Sequence, residues 1–481
     1  MPSAPLRHVL VPLIVACALF MENLDSTVIA TALPAIARSM DEDPLRLNLA
    51  ITSYLLSLAV FIPLSGWVAD RYGARSVFRA AIVVFTVGSA FCGLAQNLPE
   101  LVAARIFQGI GGAMMVPVGR LVMLRTVPKS ELVRAMSYLT VPALIGPVLG
   151  PPVGGFIVTY SSWRWIFYIN LPMGLLGIVL ASLFIENVKE TGHWPLDLRG
   201  FLLSGIGLSG LMFGFETAGR GVLPVPIVAT LLACGALGTT LYVFHSRVHS
   251  FPIIDLKLLR IPTFAAAVTG GSLFRIGIGA LPFLLPLMLQ LGFGLSPFAS
   301  GLLTFTSAAG AMTMKMTAAP IIRTFGFRRV LLGNAVISSL FVASYAFFSP
   351  ETPHWLIVLA LLSGGFFRSL QFTSTNTLIF ADVPPPLMSR ATSFQSMAQQ
   401  LSVSIGVGAG ALLLHLTLLL KGRTELQAGD FAGAFLVVAV ISLCSIFFYL
   451  PLAREAGAEV SGHHAPEEKS AVASERGAAG D

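Results

Sequence analysis

Two carboxylates, Glu22 and Asp25, interrupt the apolar stretch FMENLDSTVIATALP at residues 20–34. Three residues apart on a helix they share one face, since three steps of 100° nearly close a turn. Arg105 and Gln108 repeat that spacing in RIFQGIGGAMMVPVGR, residues 105–120, and Arg275, Lys315 and Arg368 each stand in apolar runs further on. In a dry setting a carboxylate beside a guanidinium stays ionised, and it takes up a proton when its partner leaves. The chemistry on offer is reversible protonation rather than bond making.

The elements that carry these residues must be membrane spans. Charged residues make up 11% of the 481 and hydrophobic ones 55%, with a mean hydropathy of +0.82. Soluble domains carry about 25% charged residues, so this chain could not solvate a surface in water. Apolar runs long enough for the ~30 Å hydrocarbon layer recur from end to end, and fourteen are read between residues 9 and 452. The head MPSAPLRHVL has no cleavable signal pattern. A charge at mid-depth costs about 2.5–3.5 kcal/mol on insertion scales, so each intramembrane charge calls for a partner, a cavity or a function.

The net charge of +7 reports topology rather than nucleic acid. With the N-terminus inside, 19 of the 30 Lys and Arg fall in cytoplasmic segments, 6 in outside loops and 5 within spans. That bias is the positive-inside rule, and an even span count leaves both termini cytoplasmic. Two polar stretches divide the chain, ENVKETGHWPLDLRG (186–200) and HSRVHSFPIIDLKLLRIP (245–262). The expected units are a six-helix bundle over 1–185, linkers with two inserted helices over 186–262, a second six-helix bundle over 263–452, and a disordered cytoplasmic tail over 453–481. DRYGAR (70–75) and RTFGFR (323–328) occupy equivalent places in the two bundles, with Gly73 and Gly326, and Arg75 and Arg328, at one offset of 253. A repeated half with basic turns is the plan of two-bundle secondary transporters.

Enzyme chemistry is absent from the motifs. No Gly-Lys dipeptide exists, which removes a Walker A loop and leaves an ion or substrate gradient as the energy source. His245 and His249 have i, i+4 spacing without the glutamate of a zinc protease, and they read as a surface loop with no metal. Cys17, Cys92, Cys234 and Cys444 lie far apart in apolar runs and read as packing residues.

Depth brings the opening residues together. Arg105 lies ~9 Å below Pro99 at 1.5 Å per residue, and Asp25 ~13 Å from Pro34, so the two can pair. Asp70, Arg71, Gly73 and Arg75 can form a breakable latch in a tight turn. In GPVLGPPVGG (146–155), Gly146, Gly150 and Gly154 make two small-xxx-small steps and Pro147, Pro151 and Pro152 bend the helix. Arg368, Gln371 and Thr375 follow helical spacing, extended by Asn376 into one polar stripe, and Arg275 and Arg368 are expected to line a cavity. Lys315, about two turns from the inner edge, is expected to snorkel.

LDSTVIATALPAIA, GWVADRYGARSVF, RIFQGIGGAMMVPVGR, GPVLGPPVGG and WRWIFYINLPMG appear in that order over residues 24–174. The chain thereby resembles the 14-span drug:proton antiporter branch of the major facilitator superfamily, over essentially residues 8–452. The resemblance implies an all-α polytopic membrane protein with two six-helix bundles plus two inserted helices, alternating access and proton-driven export. It implies that Gly146, Pro147, Gly150 and Gly154 form the antiporter motif, that Asp70, Gly73 and Arg75 form the cytoplasmic gate, and that Arg105 is the arginine of the fourth span. The family often has an uncharged polar residue where Glu22 stands.

The reading is a proton-coupled multidrug or small-molecule exporter of the bacterial inner membrane. It has no cofactor and no nucleic-acid partner, and it works as a monomer in the lipid bilayer. Asp25 is the leading coupling residue, with Glu22 as a second site for protons or cationic substrate. The alternative is an exporter of organic anions, in which Arg105, Arg275 and Arg368 hold a carboxylate. Topology is the first testable consequence. Single cysteines introduced over 186–199 and 245–262 should label only from the cytoplasmic side, and labelling from outside would refute the fourteen-span arrangement.

Overall fold

The computed structural model describes residues 4–42, 44–187, 195–218, 223–423 and 426–463, and all of the regular structure among them is helical. The first half contains α1 (Ala4–Met40), α2 (Pro44–Phe61), α3 (Ser65–Tyr72), α4 (Ala74–Leu94), α5 (Leu98–Thr126), α6 (Leu132–Tyr160), α7 (Trp165–Tyr168) and α8 (Asn170–Phe184). Two helices follow, α9 (Leu198–Thr217) and α10 (Val225–Val248). The second half contains α11 (Pro262–Gly279), α12 (Leu281–Leu287), α13 (Pro297–Ser344), α14 (His354–Leu378), α15 (Met388–Lys421), α16 (Phe431–Leu443) and α17 (Ile446–Tyr449). A one-turn helix, α18 (Ala458–Ser461), comes last.

Twelve stretches of the described residues are long and apolar enough to cross a membrane. One of them, Ala299–Phe347, runs through a break at Gly326. Its 48-residue helix would be ~72 Å long if straight, more than two hydrocarbon thicknesses, so it supplies two spans. α6, at 29 residues, is not among the twelve and is long enough for one more. Counted so, the described residues have helix enough for the fourteen spans expected.

The internal repeat is visible in the backbone. Gly73 ends α3 at φ 89°, ψ 136°, and Gly326 breaks α13 at φ 72°, ψ 160°, a region closed to most side chains. The arginine two residues on does the same work in both halves. Arg75 Nη1 donates to the Ile185 carbonyl at the end of α8, and Arg328 Nη2 donates to the Leu450 carbonyl at the end of α17. Each cation closes the last helix of its own half, where orphan carbonyls and the helix dipole favour positive charge.

α9 packs against α2 of the first half and α15 of the second, while α10 packs on α9 and stays largely exposed. On the other side, α6 meets α13 and α14. The tail is ordered further than expected. α18 packs on α13 of the second half and on the turn before α6 of the first, Val460 is buried, and Lys129 reaches Glu459 at 2.8 Å. Residues 464–481 lie outside the described residues.

The glycines of the antiporter motif set the distance between α6 and α1. A Cβ at Gly146 would meet Asn23 Cβ at 3.0 Å, and one at Gly150 would fall on Thr27 Oγ1. Their close approach is to α1 of the same bundle, which carries Asp25. Gly154 is buried, and the side chain of Pro147 lies outside the described residues. Gly155, on the same helix, has open space where its Cβ would be. The two positions should therefore differ in sign. Gly150→Ala should destabilise by about 1–3 kcal/mol through overpacking, whereas Gly155→Ala should be neutral or stabilise by about 0.5–1 kcal/mol. Melting temperatures of the purified variants test this, and equal shifts would remove the close-packing role.

Candidate functional site

Arg105 is placed by the cap of its helix. Asn97 accepts from the Glu100 amide at 3.0 Å, while the Glu100 carboxylate accepts from the Gln96 amide at 2.9 Å and from Asn97 Nδ2 at 2.7 Å. This reciprocal cap starts α5 at Leu98 and so sets Arg105 and Gln108 two to three turns inside, on one face.

There they meet Asp25. Arg105 Nη1 donates to Asp25 Oδ2 at 2.6 Å, with both side chains sealed from solvent. Gln108 Nε2 and Asn170 Nδ2, from α5 and α8, donate to Asp25 Oδ1 at 3.0 and 2.8 Å. Arg105 also donates to the Ala50 carbonyl at 3.1 Å and to Gln108 Oε1 at 2.7 Å, and its guanidinium lies 4.3 Å from the Tyr54 ring centre. Ser89 of α4 receives Gln108 and Asn170 and donates to the Phe167 carbonyl. The pairing expected from depth is thus made, and it gathers five helices. Tyr54, Ser89 and Asn170 were not singled out from sequence. Asn170 opens α8 within YINLPMG, and no spacing ties it to residue 25.

Glu22 sits one turn from Asp25 and is less enclosed. Its Oε2 and the Tyr54 hydroxyl are buried and lie against each other as a polar pair, and Arg105 Nη2 is buried without a hydrogen-bond partner among the described residues. The site therefore holds one carboxylate filled by three side-chain donors beside a second one that has no cation on it and a tyrosine hydroxyl for its neighbour.

The intramembrane cations of the second half, Arg275, Lys315 and Arg368, have no carboxylate within 4 Å among the described residues, and their partners are neutral oxygens. Arg275 Nη2 donates to Asn376 Oδ1 at 2.5 Å, and Gln395 Nε2 donates to the same oxygen at 3.0 Å. Arg368 Nη2 donates to Ser307 at 2.7 Å. Arg120 of α5 donates to Ser396 Oγ at 3.4 Å and lies near enough to Arg275 to feel its charge across the two halves. Arg120 was missed as a site residue, although it is a buried arginine inside an apolar helix like Arg105 and Arg275.

Two expectations are corrected here. Lys315 does not snorkel: it is 7% exposed, and its Nζ donates to Thr373 at 2.5 Å between α13 and α14. The polar stripe on α14 does not share one environment. Gln371 is fully buried against Asn334 at 3.0 Å, Arg368 faces Ser307, and Asn376 faces Arg275. Small angular offsets on α14 meet different neighbours, and helical spacing could not foresee which.

Three side-chain contacts between the two bundles follow one face of α15. Asp70 accepts from Arg125 Nη2 at 3.3 Å and from Ser389 Oγ of α15 at 2.5 Å. Ser65 and Ser393 hydroxyls lie 2.8 Å apart, and Arg120 reaches Ser396. A Cβ at Gly66 would strike Ser393 and the Ser389 carbonyl, so the halves touch closely there. Of the expected latch residues, Asp70 crosses between the halves, Gly73 and Arg75 shape their own half, and Arg71 is exposed. The partners Ser389, Ser393 and Ser396 went unread, although their spacing marks one helical face.

Comparisons with known proteins agree with this arrangement. The sequence pattern of the Major Facilitator Superfamily matches residues 15–281 and again 267–476. A relative named "Putative multidrug resistance protein MdtD" in Salmonella typhimurium is 44% identical over 405 residues, 83% of this chain and 85% of that one. The protein of the same name in Shigella boydii is 43% identical over 406 residues, with 84% and 85% covered. Among solved structures, the human organic anion transporter MFSD10 superposes with a TM-score of 0.66 at 14% identity, covering 93% of this chain and all of that one. The proton:xylose symporter XylE does so at 0.66 and 15%, covering 96% and 99%. With the family pattern matched over nearly the whole chain and a relative 44% identical over most of it, the all-helical, duplicated fold has its assignment: the chain is a non-enzymatic transporter and belongs to the major facilitator superfamily.

Proposed function

We propose that this protein exports small molecules from the bacterial cytoplasm across the inner membrane in exchange for protons, by alternating access. The observation that carries the reading is Asp25, sealed in the bundle with Arg105, Gln108 and Asn170 on it and a second carboxylate, Glu22, one turn away beside Tyr54. Membrane insertion of such a group is costly, and its reward is a proton site that opens only when the pair parts. With Arg105 drawn away, Asp25 takes up a proton from the outside. Re-forming the pair ejects that proton to the inside.

The seam around Asp70 is closed, which corresponds to the outward-facing half of the cycle, with the Asp70 face and both termini cytoplasmic. Opening it breaks Asp70–Ser389, Ser65–Ser393 and Arg120–Ser396 together. The named relatives suggest the multidrug class. A specific observation favours the anionic alternative as well. Arg120 feels the charge of Arg275 across the two halves, and neither has a carboxylate within 4 Å among the described residues, so a substrate carboxylate would relieve that repulsion. Glu22 is the counterpart for a cationic substrate.

Asp25→Asn should abolish pH-driven export into proteoliposomes, by more than about tenfold, while substrate counterflow without a gradient persists. Unchanged gradient-driven flux would remove Asp25 as the coupling group. Arg275→Gln separates the substrate classes. Losing a charged hydrogen bond worth about 1.5–3 kcal/mol should weaken a carboxylate substrate about ten- to a hundredfold and leave a cationic dye unchanged. The opposite ranking would assign binding to Glu22.

A further inference from the structure

A second set of ionisable side chains lies away from the midline, where the two inserted helices meet the linker. His245 sits in the last turn of α10 and His249 caps that helix, so the i, i+4 pair projects from a helix end and not from the loop its sequence suggested. Asp197 comes from the start of α9. Its carboxylate accepts from the Gly200 amide at 2.8 Å and the Ile253 amide at 3.3 Å, and it contacts His245 Nε2 at 2.7 Å. The residue is 4% exposed, and no Lys or Arg lies within 4 Å of it among the described residues. One ligand-type atom from each of the three residues falls within 4.8 Å of the other two.

We propose that Asp197, His245 and His249 bind one divalent transition-metal ion of the zinc type. Two imidazoles and a carboxylate form a nitrogen–oxygen set that zinc accepts with water as the fourth ligand. The carboxylate is already oriented by two backbone amides, the outer support that ligating acids use. Tetrahedral bonds of about 2.0–2.1 Å set ligand atoms about 3.3 Å apart, a separation that falls between the 2.7 Å of the Asp197–His245 contact and the 4.8 Å within which all three atoms lie. The ion takes the place of the proton shared by Asp197 and His245. It also displaces the Phe251 amide from His249 Nδ1, a 3.2 Å contact, because either ring nitrogen that ligates ends that acceptance. A neutral hydrogen bond of this kind is weak beside a coordination bond.

Such an ion would join the start of α9, the end of α10 and the segment that follows. That segment continues through Asp255 to Arg390 at 3.0 Å, next to the Ser389 that holds Asp70. Metal occupancy would therefore stiffen the inserted pair against the gate.

The test uses the full-length protein with no polyhistidine tag, ZnCl₂ as the probe, a chromophoric zinc chelator as competitor, and thermal unfolding as a second readout. Wild type should bind one Zn²⁺ per chain and melt at a higher temperature with it. His249→Ala, with an unchanged melting temperature in the absence of metal, should bind at least about tenfold more weakly, since loss of an outer-shell partner alone costs that much, and should lose the shift. His245→Gln serves the same purpose if His249→Ala folds poorly. His463→Ala, which alters a histidine of the tail, should retain both binding and shift. Absence of zinc binding in wild type, or wild-type affinity and shift in both site variants, would overturn the proposal.

Discussion

An ionised carboxylate buried in a bundle can be kept only if its lone pairs are filled, and in this protein that demand organises the first half. Arg105 supplies the charge, but one guanidinium nitrogen covers one oxygen of Asp25. The other oxygen draws a donor from α5 and a donor from α8, and those donors share a serine of α4. Arg105 in turn needs an acceptor on α2. Removing one partner from a buried pair typically costs about 3–5 kcal/mol. The packing of α1, α2, α4, α5 and α8 is therefore tied to one electrostatic requirement. Glycines enter the same account, because the close approach of α6 at Gly146 and Gly150 fixes where α1 presents the acid.

The second half repeats the architecture without repeating the charge balance. Gly326 and Arg328 reproduce the turn and helix closure made by Gly73 and Arg75. No carboxylate answers Arg275, Arg368 or Lys315 within ion-pair distance among the described residues, and their partners are amide and hydroxyl oxygens. A duplicated fold with charge concentrated differently in its halves separates two tasks. An acid that can be paired or protonated suits coupling, while uncompensated cations suit a ligand that brings its own negative charge.

Between the halves the contacts are of another kind. Ser389, Ser393 and Ser396 present hydroxyls to Asp70, Ser65 and Arg120. A neutral hydrogen bond contributes about 0.5–1.5 kcal/mol net and one to a charged group about 1.5–3 kcal/mol, so the seam holds without an expensive buried charge pair across it. That scale suits an interface that must part and re-form. The tail adds Lys129–Glu459, where the neighbouring ammonium holds the Glu459 carboxyl below its usual range, but this fully exposed contact is screened by solvent.

Membrane residence, the six-two-six order and the duplicated turn were legible in the sequence, because hydropathy and spacing are properties of a segment by itself. So was the Asp25–Arg105 pairing, since a fixed rise per residue converts position into depth. Depth carries no azimuth, however, and azimuth decided the rest. It turned Lys315 inward against Thr373, sent Arg368, Gln371 and Asn376 of one helix to three different neighbours, and pointed the motif glycines at α1. Asn170 and the serines of α15 had no charge to mark them, and their importance comes from segments 80 to more than 300 residues away in sequence. What a span is made of determines that it crosses the membrane; which neighbour each of its faces meets is fixed only when all the helices pack, because that choice depends on the other helices.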